Sequence, residues 1–269
     1  PCACISRCSG VPGTGVYSMN WWQSASCATV EDLYVVAARV LNLRVVNPAD
    51  PLSYGQELRD AGLPKPTDDG TTFLVTENAG HEDGPPFITL NHNSTLKGVV
   101  IYYPSQDPAA EPQPYPYAIA MRGKNPAVLA VELLNPYNGI DASQNERHLI
   151  RDVQGQPLRR GVFVDFIYDI GRIENVHFNP WWSMKPKLFE WQLQHGEAFI
   201  FGKSDWQYVF NTFCFGYGVG YKFIKTKSGD CNGNFLGIGA DDCLTAVEVE
   251  TSAPFSGAVT AKVLADLEG

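Results

Sequence analysis

Short runs rich in Val, Ile and Phe recur along this chain at nearly constant spacing, and that recurrence limits its fold more than any other feature. After Thr71 the runs centre on Val131 in LAVELL, Val153 in IRDVQG, Val176 in IENVHF, Phe213 in FNTFCF, Ile238 in FLGIGA and Val263 in TAKVLA. The successive spacings are 22, 23, 37, 25 and 25 residues. A second series, Ile140, Val162, Phe199, Phe223 and Val247, lies between them, and its first spacing is again 22. The one long interval, from Val176 to Phe213, contains NPWWSMKPKLFEWQLQ, an inserted loop. A period of about 21–26 residues with two or three short strands implies a coil whose turns stack as rungs, at a strand spacing of about 4.8 Å. A sandwich does not explain the near-constant spacing, and the LxxLxL pattern of leucine-rich repeats is absent. The expected fold is therefore all-β, a parallel β-helix.

The first seventy residues read differently. In Ala28 to Val46, the positions Val30, Leu33, Val36, Ala37, Val40 and Leu41 follow helical spacing, so a helix running into a strand is expected. The following NPADPLSYGQELRDAGLPKPTDDG is punctuated by Pro and Gly and reads as loop. Residues 1–70 are expected to form a Cys-rich cap or subdomain, and 71–269 the β-helix. A chain that opens on Pro1 is expected to be processed or partial, and Gly269 points to more chain or a partner beyond it.

The seven cysteines are Cys2, Cys4, Cys8, Cys27, Cys214, Cys231 and Cys243. No CxxC pair is present and no histidine lies near the first cluster, which favours disulfides over zinc and leaves one cysteine over. With the sequon at Asn93, this points to a secreted, extracellular protein. A net charge of -9 argues against nucleic acid as a partner. No apolar run reaches the roughly 18 residues a spanning helix needs, so membrane insertion is not expected. No cofactor or metal is expected.

The stretches FITLNHNSTLKGVVIYYPSQ, PYPYAIAMRG, VELLNPYNGID, RHLIRDVQGQPLRRGVFVDFIYDIGRIENVHFNPWW and NGNFLGIGADDC carry a resemblance. From about Thr71 to Ala240 the chain resembles secreted proteins of the pectate-lyase-like superfamily. The resemblance implies a right-handed β-helix and contact with an extracellular polysaccharide. The superfamily includes lyases, hydrolases and non-catalytic adhesins, so it does not imply one activity. The polygalacturonase set of NTD, DD, GHG and RIK is absent, and Asp241-Asp242 stands in GADDC without partners.

If Val131, Val153, Val176 and Phe213 point inward, the residues on either side of each should share an outward face. That places Glu132, Asp152, Gln154, Asn175 and His177 in one polar patch. Asp152, His177 and Glu132 are the candidates for acid–base chemistry on a glycosidic bond or a uronic acid. Trp181, Trp182 and Tyr137 are the candidates for stacking on sugar, with Asn175 and Gln154 as polar contacts. Arg151 and Glu174 are expected to pair between rungs, and Asp169-Ile170-Gly171 to form a turn with Gly171 at positive φ. The short HGE, His195 to Glu197, reads as a turn into a strand. Two functions follow. One is a polysaccharide-binding β-helix that acts as a lyase or hydrolase. The other is a non-catalytic structural or adhesive subunit whose partners are copies of itself or a further chain segment.

Overall fold

A computed structural model describes residues 71–253, together with the backbone of Arg44–Val45 and of Val259–Val263. The chain alternates between two sheets. β1 (Arg44–Val45) and β2 (Thr71–Leu74) belong to a long sheet, and β3 (Ile88–Leu90) to a second. β4 (Thr95–Lys97) and β5 (Val99–Tyr102) return to the long sheet, and β6 (Tyr117–Met121) to the second. After the short β7 (Gly123–Lys124) come β8 (Ala127–Leu133) in the long sheet and β9 (Asn138–Ser143) in the second. After the short β10 (Asn145–Glu146) come β11 (Leu149–Gly155) and β12 (Arg160–Asp165), then β13 (Gly171–Phe178). The helix α1 (Pro186–His195) interrupts before β14 (Glu197–Phe201). β15 (Ser204–Phe215), β16 (Val219–Phe223), β17 (Cys231–Asp241), β18 (Thr245–Val249) and β19 (Val259–Val263) complete the alternation. Except for the antiparallel β1–β2 pair, every strand pairing is parallel, and β7 pairs with β10 as a small third ladder. This is a β-solenoid, as the spacing predicts. The helix expected within 28–46 and the cap around Cys2, Cys4, Cys8 and Cys27 lie outside the described residues, apart from β1.

The register corrects both series. Val131, Val153 and Val176 stack as expected, but His177 pairs with Phe213, so the residue opposite Val176 is Thr212. Thr212 then pairs with Ile238, which pairs with Ala261, whereas Val263 pairs with Ala240. In the second sheet Ile140, Val162 and Phe199 stack, and the next member is Tyr221, two residues before Phe223. Both slips have one cause. Thr212 and Tyr221 are buried, and their hydroxyls hydrogen-bond to each other at 2.8 Å inside the core. A satisfied polar pair can occupy inward positions that hydrophobic counting assigns to Phe neighbours. Around it the inward aromatics stack from rung to rung, with Phe199 and Tyr221 ring centres 4.9 Å apart and their planes nearly parallel at 9°.

The corners are built from left-handed backbone. Gly98, Ala130, Asp152, Asn175, Asn211 and Gly237 all have φ between 50° and 70° and stand in one column across the long sheet. Each adds a residue that belongs to neither flanking stretch, so the long sheet bends along this line. Asn and Asp tolerate this conformation because their side chains can hydrogen-bond locally. Asn175 Nδ2 donates to Asp152 Oδ1 at 2.8 Å, and Asn211 Nδ2 donates to Asn175 Oδ1 at 3.2 Å. Asn93, Asn125 and Arg147 form a second left-handed column with the same kind of stack. In the expected turn at Asp169-Ile170-Gly171 the positive φ falls on Ile170, at 36°. Gly171 is needed for closeness instead, because a Cβ there would lie 2.2 Å from Gln207 Oε1 and 2.3 Å from the His148 ring.

His148 is fully buried, with Nδ1 2.8 Å from Asn145 Oδ1. Burial, helped by the Arg172 charge, lowers its pKa to about 3. The folded protein therefore holds a neutral imidazole while the unfolded chain takes up a proton near the ordinary value of 6.5. Stability is lost as pH falls through 6.5 towards 3, by about 1.4 kcal/mol per pH unit, or about 3 kcal/mol by pH 4.5. Urea unfolding at pH 7 and pH 4.5 is expected to show this acid slope, and His148→Gln is expected to flatten it.

Candidate functional site

The residues singled out in the sequence separate into three places. Asp152 and Asn175 belong to the corner ladder, and their polar atoms bond to each other. Arg151 Nη1 lies 4.0 Å from Glu174 Oε2 across the rungs, the expected pair.

Glu132, Gln154 and His177 do stack in one outward column on β8, β11 and β13. The next member is Phe213, where the sequence spacing predicts Cys214. Among the described residues this column is largely closed over, with Glu132 buried and Gln154 and His177 half-buried. The inserted segment folds back over the same stretch of sheet, and Glu132 is only 2% exposed. Trp182 is 1% exposed and packs with outward-facing Val100 and Tyr102 and with Leu134, Leu158 and Leu188. Its indole is filler for this second core, with no face left for a sugar. Buried Gln156 ties the insertion down. Its Oε1 accepts from the N–H groups of Trp182 and Ser183 at 3.0 and 2.9 Å, and its Nε2 donates to Ser183 O and Gln192 Oε1. Gln192 Nε2 on α1 donates in turn to Gly216 O, 3.2 Å away. The His177 ring sits between Trp181 at 4.7 Å and Phe213 at 4.8 Å, and its Nε2 has no hydrogen-bond partner among the described residues. Burial lowers its pKa, which keeps the imidazole neutral near pH 7. Tyr137 is buried as well, its ring 5.9 Å from that of Trp191.

An open concavity among the described residues lies on the outward face of the second sheet. It is a trough of about 490 Å³ lined by Tyr117, Asp141, Arg159, Arg160, Glu197 and Lys222, with Lys225 and Glu250 at one side. The register builds it. Asn138, Arg160 and Glu197 stack in one column, and Asp141, Phe163, Ile200, Lys222 and Glu248 in the next outward one. Glu197 is its hub. Oε2 lies 2.8 Å from Arg159 Nη1 and 3.7 Å from Arg160 Nε, and Oε1 lies 3.1 Å from Lys222 Nζ. Burial raises the Glu197 carboxyl, but the bonds from Arg159 and Lys222 outweigh it and hold the pKa below the ordinary value. Burial also raises the Tyr117 phenol, despite its hydrogen bond with Arg160, so it stays protonated. Arg122 pairs with Asp141 at the trough's edge. Lys225 makes no ion pair among the described residues. Arg160 also pairs with Glu82 at 3.4 Å, and Lys222 with Glu248 at 3.4 Å and Glu250 at 3.7 Å, so the cations Arg122, Arg159, Arg160, Lys222 and Lys225 are matched by the carboxylates of Glu82, Asp141, Glu197, Glu248 and Glu250.

Sequence reasoning missed this face. HGE reads as a turn into a strand, and Glu197 does open β14, but that reading gives no role to Glu197, which is the trough's central carboxylate. A signal was present, because Asn138, Arg160 and Glu197 stand two residues before Ile140, Val162 and Phe199.

Cys214, Cys231 and Cys243 are not bonded to one another in this structure, and the Cys214 and Cys243 sulfurs are 4.0 Å apart. The sequon residue Asn93 is exposed and heads the second corner ladder, its Oδ1 accepting from Asn125. No group of His, Cys, Asp and Glu among the described residues is arranged to hold a metal ion. No family model, curated protein or solved structure matches the chain significantly.

Proposed function

We propose that this protein is a secreted β-helix of the pectate-lyase-like type that binds an acidic extracellular polysaccharide along the trough of the second sheet. The observation that carries this reading is the cluster of Arg159, Arg160, Lys222 and Lys225 in an open, rung-spanning trough on a chain whose net charge is -9, with Lys225 outside every ion pair among the described residues. Stacked rungs repeat about every 4.8 Å, roughly the length of one sugar residue, so a polymer lying across them meets similar groups at each step. Arg159 and Arg160 offer planar donors suited to carboxylate or sulfate. The stacked Glu132 and His177 lie under or beside the insertion, and Asp152 is committed to the corner. The reading is therefore of binding, with no acid–base pair assigned on that face.

The test is titration with oligogalacturonate and with a neutral oligosaccharide of equal length. Binding is expected for the acidic ligand alone, weakening as salt rises. Lys225→Ala, which disturbs no ion pair among the described residues, is expected to weaken it about tenfold, the effect of losing one charge-assisted contact. Equal affinity for the neutral sugar would overturn the reading.

A second reading, a structural or adhesive subunit that self-associates, is favoured by a different observation. Trp206, Tyr208, Phe210 and Leu236 are exposed near one another on the long sheet, with Phe210 and Leu236 paired in register. Light scattering that finds a large assembly would favour it over a free-standing binding protein.

A further inference from the structure

The three cysteines of the last rungs differ in placement. Cys214 lies on β15 and is fully buried; Cys243 follows β17 in the turn before β18 and is half-buried. Their sulfurs are 4.0 Å apart. Cys231 opens β17 opposite Ser204, and its thiol donates to Asn232 O, 3.6 Å away. We propose that Cys214 and Cys243 form a disulfide that ties the β15 rung to the turn after β17, leaving Cys231 as the reduced thiol.

A disulfide needs the two sulfurs about 2.0 Å apart. The surroundings also divide the labour. The Cys214 and Cys243 sulfurs are within reach of a hydrogen bond in which either can donate, the Cys243 thiol reaches Asp241 O at 3.4 Å, and the backbone N–H groups of Tyr217 and Gly216 bond to the Cys243 sulfur. The bonds donated to the Cys243 sulfur stabilise a thiolate and lower the Cys243 pKa, although burial opposes them. Burial raises the Cys214 thiol well above its ordinary value. Cys243, the more exposed and more acidic, is the first nucleophile.

With a small-molecule disulfide such as oxidised glutathione as the oxidant, the steps balance. The Cys243 thiolate attacks one glutathione sulfur, and the other half leaves as a thiolate and takes a proton. Cys214 then loses its proton, attacks the Cys243 sulfur and expels the second glutathione as a thiol. Two protein thiols become one disulfide, and the oxidant's disulfide becomes two thiols. The product closes a loop through β16 and β17 at the end of the described coil.

The test is to treat the folded full-length protein with oxidised glutathione, quench with acid, alkylate, and locate the cross-links by fragmentation mass spectrometry. The expected result is a Cys214–Cys243 cross-link, a protein lighter by two hydrogens for that pair, and Cys231 carrying alkyl label. In the reduced protein, Cys243 is expected to react with iodoacetamide at least tenfold faster than Cys214 at pH 7. Cys231→Ser is expected to keep the cross-link. Full alkylation of both Cys214 and Cys243 after oxidation, or a link from either to any other cysteine, would overturn the proposal. The decisive readout is on the unmutated chain, so it does not depend on a variant that folds.

Discussion

Trp182→Ala is expected to lower the unfolding free energy by about 3–5 kcal/mol, the cost of removing a fully buried aromatic and leaving a cavity. Trp182 is the largest side chain of the small core that joins the insertion to the long sheet. Its loss leaves Val100, Tyr102, Leu134 and Leu158 facing a void. The Gln156 amide, which bonds to the backbone of Trp182 and Ser183, then holds the insertion without apolar support. Residues 179–195 should become the first protease-sensitive segment of the described coil. Trp182→Phe is expected to cost much less, about 1–2 kcal/mol, because it keeps most of the volume. It also forfeits no hydrogen bond, since the indole Nε1 has no partner among the described residues. Urea unfolding of both variants, with limited proteolysis, checks the ordering. Equal losses for Ala and Phe would mean that the cavity is not the cause.

Gly155→Ala is expected to cost about 4 kcal/mol, from two effects that add. Gly155 has φ of 141°, a region that L side chains rarely adopt, and strain there costs about 1–3 kcal/mol. An added Cβ would also lie 1.9 Å from the carbonyl oxygen of Leu133 on the rung below, so the backbone must move. Overpacking of that kind costs a further 1–3 kcal/mol or so. The displacement would act on the residue before Gln156, and so on the anchor of the insertion. The variant should unfold at lower urea with an unchanged slope. A loss under about 1 kcal/mol would show that the rungs can part locally at little cost.

The coil itself was legible because its cause is local. Val131, Val153 and Val176 are each inward, each near the middle of a strand, and each about one rung apart. A small residue precedes each inward member of the second series, as in Gly139, Gly161, Ala198, Gly220 and Ala246. Read together with the apolar positions, that column points to Tyr221 where apolar counting alone selects Phe223. The insertion after Val176 was also legible, from the one interval that breaks the period. The site was less legible. Glu132, Gln154 and His177 were placed correctly in one column, but nothing in their spacing tells which face a later segment covers.

Period, strand positions, the place of the insertion and the rung-to-rung pairing of Arg151 with Glu174 follow from the sequence by itself. They depend on side-chain alternation and on distances of one turn of chain. Three things were decided only by the tertiary structure. The left-handed corners at Asp152, Asn175 and Asn211 remove one residue from the alternation in each rung, which turns two supposed site residues into a ladder. The Thr212–Tyr221 hydroxyl pair lets polar residues take inward places, because each satisfies the other where no water reaches. The fold-back of α1 and Trp182 buries one outward face and leaves the other, with Arg159, Arg160, Glu197 and Lys222, open to solvent. Each depends on groups that meet across rungs, and those meetings are set by packing and hydrogen bonding between segments 9 to 78 residues apart.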